Sequence, residues 1–185
     1  CNGIITDLLE FTRVRDLNRQ VSPIDAWLAE LLDEHELPAG VELRREMSCG
    51  SDVALDKDRF RQVLVNLLDN AAQAMLDSSW EPGADRPRRI TVRTEIAGPH
   101  VRLSVLDTGP GIAPDLRAKI FEPLFTTKNF GVGLGLPTVR QIVEQHGGTI
   151  EVDSAPERGT EFVIWLPRQV AAAQGEPPAL RVSAA

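Results

Sequence analysis

The chain has little with which to cross-link itself: two cysteines, Cys1 and Cys49, in 185 residues. They match no metal-ligand spacing and allow no disulfide framework, which excludes the stapled secreted scaffolds and points to a reducing compartment. No apolar run approaches the ~20 residues that a bilayer-spanning helix needs, and no signal-peptide pattern opens the chain. A surplus of positive charge is missing too. With 20 basic against 27 acidic side chains the net charge is −7, so there is no electrostatic footprint for nucleic acid or an anionic membrane. Any bound polyphosphate has to be held by local groups and a metal ion. The P-loop pattern is absent, and a dinucleotide fingerprint fails because Leu136 stands where its third glycine belongs. The chain also lacks an initial methionine and begins inside an amphipathic pattern, so a piece of something longer is expected.

The length suits one compact domain with a short appendage. Residues 4–14 carry Ile4, Ile5, Leu8, Leu9 and Phe11 at helical spacings. Ser22 and Pro23 stand as N-cap and first position of a helix through residue 36, striped by Ile24, Trp27, Leu28, Leu31 and Leu32. A strand is expected over 41–47. Asp56 caps a long helix whose buried stripe is Phe60, Val63, Leu64, Leu67, Leu68, Ala71 and Met75. Alternation over 90–96 and 101–106 around Gly98-Pro99 predicts a hairpin, and 149–153 with 161–166 predicts a second. Val139, Ile142, Val143 and His146 mark a further helix, with His146 as C-terminal cap or solvent residue. From Arg168 onward the chain is rich in Ala, Pro, Gln and Gly, lacks a packing face, and is expected to be disordered. Locally paired strands with three good helices imply helices layered on one face of a mixed sheet.

Four segments carry the chemistry: Asn66-Leu67-Leu68-Asp69-Asn70, Asp107-Thr108-Gly109-Pro110-Gly111, Phe121-Glu122-Pro123-Leu124-Phe125, and Gly131-Val132-Gly133-Leu134-Gly135. Asn66 and Asn70 lie on a polar ridge with Arg59, Gln62, Gln73 and Asp77, opposite the apolar stripe. A solvated face explains such ridges, but asparagine is a poor choice for mere solvation in a helix. An amide oxygen suits Mg²⁺ that takes most of its charge from phosphates. Asp107 ends an apolar strand, where a buried carboxylate needs donors such as the exocyclic amine of adenine; the same five residues also make a good turn. Gly131 to Gly135 precede a helix whose first amides suit a phosphate chain, or form a flexible connector.

In this order the four segments resemble the N, G1, F and G2 boxes of sensor histidine kinases, in the superfamily that also holds Hsp90, MutL and the ATPase portion of DNA gyrase. The resemblance implies an α/β sandwich of the Bergerat type, with a mixed, largely antiparallel sheet. It implies ATP and Mg²⁺ as cofactors, with Asn70 as the metal ligand. Asp107 would read adenine and Gly109 and Gly111 would shape the pocket, with help from Thr160 through its hydroxyl or a bridging water. Thr126, Thr127, Lys128, Gly131, Val132, Gly133, Leu134, Gly135 and Leu136 would face the phosphates. Asn66 and Lys128 would act in catalysis. Asn66 is the diagnostic residue, since the superfamily's ATPases carry a glutamate there as general base and an amide cannot accept a proton at neutral pH. Gln73 departs from members with a lysine at that position, which shifts phosphate contacts toward Lys128 or Arg140.

The domains implied are the end of a dimerisation helix over 1–20, a catalytic ATP-binding domain over 21–167 and a tail over 168–185. The reaction implied is transfer of the γ-phosphoryl group to a histidine upstream, because His35, His100 and His146 are the only histidines and none sits in an acceptor-like helix. The expected partners are the chain's own upstream hairpin, a response regulator and a second copy of the parent; neither nucleic acid nor a membrane is expected to contact this piece, which would be cytoplasmic even if the parent is membrane-anchored. Two rivals stand beside this reading, an ATPase or conformational clamp of the same fold and a non-catalytic nucleotide-sensing module.

Overall fold

A computed structural model describes residues 17–77, 80, 86–127 and 132–169. The expected helix over 4–14, Lys128, Gly131 and the tail beyond 169 lie outside the described residues. In chain order the elements are β1 (Gln20–Pro23), α1 (Ile24–Glu34), β2 (Glu42–Met47), β3 (Asp52–Leu55), α2 (Lys57–Leu76), β4 (Arg89–Ala97), β5 (His100–Asp107), α3 (Pro114–Arg117), α4 (Gly135–Gln145), β6 (Thr149–Ala155) and β7 (Gly159–Gln169). The sheet runs β1-β3-β7-β5-β4-β2, with β6 also paired to β7. Only the β2–β4 ladder is parallel; the other pairings are antiparallel.

Alternation sorts the sheet into two faces. Ile90 and Val92 of β4, Val101, Leu103 and Val105 of β5, and Phe162, Ile164 and Leu166 of β7 are buried on the inner face. Against them pack Trp27, Leu28 and Leu31 of α1, the α2 stripe from Phe60 to Met75, and Val139, Ile142 and Val143 of α4, all in one core. The outer face carries charged ladders instead: Glu46 to Arg93, and Glu95 through Arg102 to Glu161. Asp56 caps α2 as expected, its carboxylate accepting from the Arg59 amide at 3.1 Å.

Five features depart from the sequence reading. Ser22 is not a helix cap: residues 20–23 pair with β3, Ser22 is buried in that strand, and α1 starts at Ile24 and stops at Glu34. Four-residue strands such as β1 and β3 carry too few positions for alternation to show, and both went unpredicted. The single turn of α3 was missed for the same reason. Strand β7 runs through Arg168 and Gln169, which pair with Val53 and Asp52, so the folded body continues past residue 167. It also reaches back before residue 21, where the Asn18 amide donates to Asp56 and Arg19 to the Gln145 carbonyl.

His146 closes α4 as a C-cap and is buried, not solvated. Its Nε2 accepts from the Asp56 amide at 3.0 Å, which fixes the proton on Nδ1, 2.7 Å from the Ile142 carbonyl. The ring lies edge-on to Phe60 at 5.3 Å. One imidazole thus ties the end of α4 to the start of α2. Burial is the main cause that pushes its pKa below the ordinary 6.5, and Arg19 and Arg59 push the same way. A lowered folded pKa means that the unfolded chain binds the proton first, so this contribution is complete above about pH 6.5 and lost as pH falls from there through the folded value. Urea unfolding at pH 7.5 and 5.5 should show an acid-side loss of stability that is smaller in His146→Gln, whose amide can accept and donate but does not titrate.

Candidate functional site

The site grows from the parity of the sheet. Two residues beyond Val105, Asp107 falls on the inner face, where its register partners are Ile90 and Thr160, and Thr160 in turn faces Ser154. The end of the sheet therefore carries a buried polar row inside an otherwise apolar surface. Asp107 is 5% exposed, and its Oδ1 accepts from the amides of Gly109 at 2.8 Å and Thr160 at 3.3 Å. Burial drives its pKa up to about 6, while those two amides and the Arg86 guanidinium pull the other way. The Thr160 hydroxyl meets Ser154 Oγ at 3.0 Å, and Ser154 also accepts from the Ile112 amide at 2.8 Å. Both amides on Asp107 fall on the same oxygen, an arrangement that suits a carboxylate whose second oxygen serves an outside amine.

The turn after Asp107 tolerates no side chain at Gly111. Its φ is +78°, and a Cβ there would stand 2.0 Å from the Ala155 carbonyl oxygen. Gly133 is similar, with φ +73° and a Cβ position 2.6 Å from the Phe125 oxygen. The Leu124 amide donates to the Gly133 carbonyl at 2.9 Å, which brings the end of the Phe121 segment against the glycine loop. Phe121 anchors this segment edge-on to Phe162 at 6.3 Å. Leu124 is 64% exposed, and its φ of +67° bends the backbone.

Helix α4 begins at the other wall of the site. A Cβ on Gly135 would lie 3.1 Å from Asn66 Oδ1 and 4.0 Å from Asn70 Nδ2, so the first turn of α4 abuts the asparagine ridge of α2. That contact explains why Asn66 and Asn70 are half-buried rather than solvated. Asn66 Nδ2 donates to the Gln62 carbonyl at 2.9 Å, leaving Oδ1 toward Gly135. Leu134 is buried and its carbonyl accepts from Thr138 Oγ1 at 2.7 Å, which secures the helix start. Val132 and Leu136 are half-buried beside it, and Thr126 and Thr127 stand exposed at the end of the Phe121 segment. Asn66, Asn70, Gly133, Leu134 and Gly135 are thus brought together, with Asp107, Gly109, Gly111 and Thr160 forming a second group at the end of the sheet.

Two residues at the site escaped the sequence reading. Ser154 had a signal, since it continues the inward alternation of Ile150 and Val152. Arg86 had none: it lies in irregular chain before β4, yet donates to the Gly109 carbonyl at 3.1 Å.

A sheet covered on one face, a buried aspartate at its end and a glycine-started helix against an asparagine ridge define a nucleotide-binding α/β sandwich of the Bergerat type. Residues 55–170 match the family of histidine kinase-, DNA gyrase B- and HSP90-like ATPases, and the chain belongs to that family. Sensor histidine kinase ZraS of Escherichia coli K12 is 37% identical over 170 residues, which are 90% of this chain and 35% of ZraS. The chain therefore spans about a third of the length of that relative. Full-length ShkA in complex with AMPPNP superposes with a TM-score of 0.74 at 30% identity, covering 92% of this chain and 36% of ShkA. Histidine kinase ThkA in complex with the response regulator TrrA gives 0.72 at 29% identity, over 91% of this chain and 47% of that one. Among the described residues no helix is long and apolar enough to cross a membrane.

The close approach at Gly111 sets a test of the pocket's construction. Gly111→Ala should destabilise the chain by about 2–4 kcal/mol, since the left-handed backbone costs on the order of 1–3 kcal/mol and the contact with Ala155 adds to it. Urea unfolding followed by tryptophan fluorescence measures it.

Proposed function

We propose that the chain is the ATP-binding catalytic domain of a sensor histidine kinase, which passes the γ-phosphoryl group of ATP to a histidine on an upstream dimerisation hairpin for relay to a response regulator. The observation that carries this is the pairing of α4's first turn with Asn66 and Asn70. Amides at a helix start attract phosphate oxygens. Facing them, where water activation would call for a carboxylate, stands the amide of Asn66. The relatives that match are sensor kinases, and the ShkA complex holds an ATP analogue.

In this reading the ionised Asp107 accepts from the adenine amine, Gly109 and Gly111 let the base approach, and Thr160 orients Asp107 through its amide. Gly133, Leu134, Gly135 and Leu136, with Val132 and Gly131, hold the phosphate chain, and Thr126, Thr127 and Lys128 close over it. Among the described residues no cluster of three or more His, Cys, Asp or Glu could cage a metal. Mg²⁺ bound through phosphates and water needs only a neutral protein oxygen, and the half-buried Asn70 amide beside α4 fits that role. When bound, the ion would neutralise phosphate charge. The transfer breaks the bond from the γ-phosphorus to the ADP oxygen and forms one to an imidazole nitrogen, with catalysis by positioning and by Lys128. His35 caps α1 beside Asp69, His100 opens β5 and His146 is buried, so none is placed to accept. The acceptor hairpin, a parent homodimer and a cytoplasmic location, where ATP is available, belong to the same proposal.

Two measurements test it. Calorimetry should show ATP bound far more tightly than GTP, and Asp107→Asn should cost about 1–3 kcal/mol of binding. Because the amine favours the ionised carboxylate, affinity should be full above about pH 6 and fall below it, and Asp107→Asn should lose that step. GTP binding equal to ATP would remove the role given to Asp107. Incubated with labelled ATP, the chain alone should neither turn it over quickly nor label itself. With the upstream hairpin supplied it should yield an acid-labile, base-stable phosphoryl group that Asn70→Ala abolishes. Rapid hydrolysis by the chain alone would return the ATPase reading to first place.

A further inference from the structure

Residues 86–89 cross the turn that follows Asp107. The Arg88 Nε donates to the Met75 carbonyl at 2.7 Å, closing the end of α2, and the Arg89 amide donates to Thr108 Oγ1 at 2.9 Å. Arg86 reaches furthest. One guanidinium nitrogen donates to the Gly109 carbonyl at 3.1 Å and another to the Glu157 carbonyl at 2.5 Å, while its Cζ lies 5.8 Å from the ring centroid of the buried Trp80. Glu157 sits in the β6–β7 turn, and its amide donates to the Pro110 carbonyl at 2.7 Å. The turn after Asp107 is therefore stapled to the β6–β7 turn from both sides, and Arg86 is the side-chain half of the staple.

We infer that Arg86 is a positioning residue for the adenine end of the site: it anchors Gly109 by its carbonyl so that the amide of the same residue stays on Asp107, and it sets a positive charge against that carboxylate. The inference rests on the nucleotide reading above. Around Asp107 the inward groups of the packed elements are Thr160 and Ser154 from the sheet, Met75 from α2 and Ile112 from the turn, all uncharged. Arg86 is the charged group that acts on it, and the Glu157 carboxylate, 3.9 Å from Arg86, is largely exposed. A fixed cation favours the ionised form, so Arg86 keeps Asp107 ready to accept an amine at a pH where burial alone would protonate more of it. A bidentate fork bridging two carbonyls is a task for Arg that a lysine ammonium cannot duplicate.

The test uses the whole chain, wild type and Arg86→Ala, Arg86→Gln and Arg86→Lys. Carboxyl-carbon NMR follows Asp107 without nucleotide, and calorimetry follows ATP between pH 5.5 and 8. Arg86→Ala and Arg86→Gln should raise the Asp107 midpoint by about half a unit to one unit, lowering ATP affinity at pH 6.5 by roughly 1.5-fold to threefold. Arg86→Lys should bring the midpoint back toward wild type yet bind ATP more weakly than wild type at pH 8. Midpoints of Arg86→Ala and Arg86→Gln that superimpose on wild type would overturn the inference; if the alanine variant does not fold, the glutamine variant decides on the same criterion. A failure of the nucleotide reading shows separately, as wild type that fails to prefer ATP over GTP, while the carboxyl titration still reports whether Arg86 acts on Asp107.

Discussion

The end of the sheet is organised around one costly object, the carboxylate of Asp107. The alternation that buries Val101, Leu103 and Val105 carries Asp107 to the same face, where it is 5% exposed. A pKa of about 6 against the ordinary 3.8 means that keeping this group ionised at neutral pH costs on the order of 3 kcal/mol. A fold that needed only a strand end there would carry an apolar residue. What surrounds Asp107 is arranged to contain the cost: two backbone amides on one oxygen, a threonine–serine pair across the strands, and an arginine behind the turn. Such a locally unfavourable group, surrounded by support but not neutralised, is where folds concentrate function.

The second constraint is the closeness of α2 and α4. Phe60, Leu64, Leu67 and Leu68 of α2 are fully buried, and the opposite ridge of the same helix faces the first turn of α4. At the other end His146 joins the close of α4 to the cap of α2 through the Asp56 amide. One helix is thus both core and wall, and the other is fixed at both ends against it. Asn18 reaches the same Asp56, and Arg19 the carbonyl of Gln145. A displacement of the chain before residue 20 therefore bears directly on the two helices that frame the proposed phosphate site.

What was legible in the sequence follows from how many residues share a pattern. Helix α2 spans twenty residues and the strands of the two hairpins run over seven to eleven, so periodicity located them and Asp56 marked the cap. Ser22 misled because Ser-Pro before an apolar run also describes a short strand entering a helix, and only the pairing with β3 distinguishes them. The buried position of Asp107 was legible because it ends an apolar strand. The contact of Gly135 with Asn66 was not, since it joins elements about seventy residues apart by a packing no local pattern encodes. Arg86 and His146 were missed as site and core members for the same reason: their partners are backbone groups distant in sequence.

The difference between a kinase and a hydrolase of this fold then turns on what can accept a proton near the helix start. Asn66 cannot, and its Nδ2 is already engaged by the Gln62 carbonyl. Asp69, next to Asn70 in sequence, lies on another flank of α2, where its carboxylate is 3.3 Å from the His35 imidazole. A helix turns about 100° per residue, so no small rotation brings that carboxylate onto the asparagine ridge without breaking the α2 stripe. On the proposed reading, water beside the γ-phosphate finds the neutral amides of Asn66 and Asn70 at the ridge positions that face α4, where a carboxylate would be needed to activate it. The phosphoryl group then waits for a nucleophile that brings its own basic nitrogen, and a histidine imidazole at neutral pH is such a group.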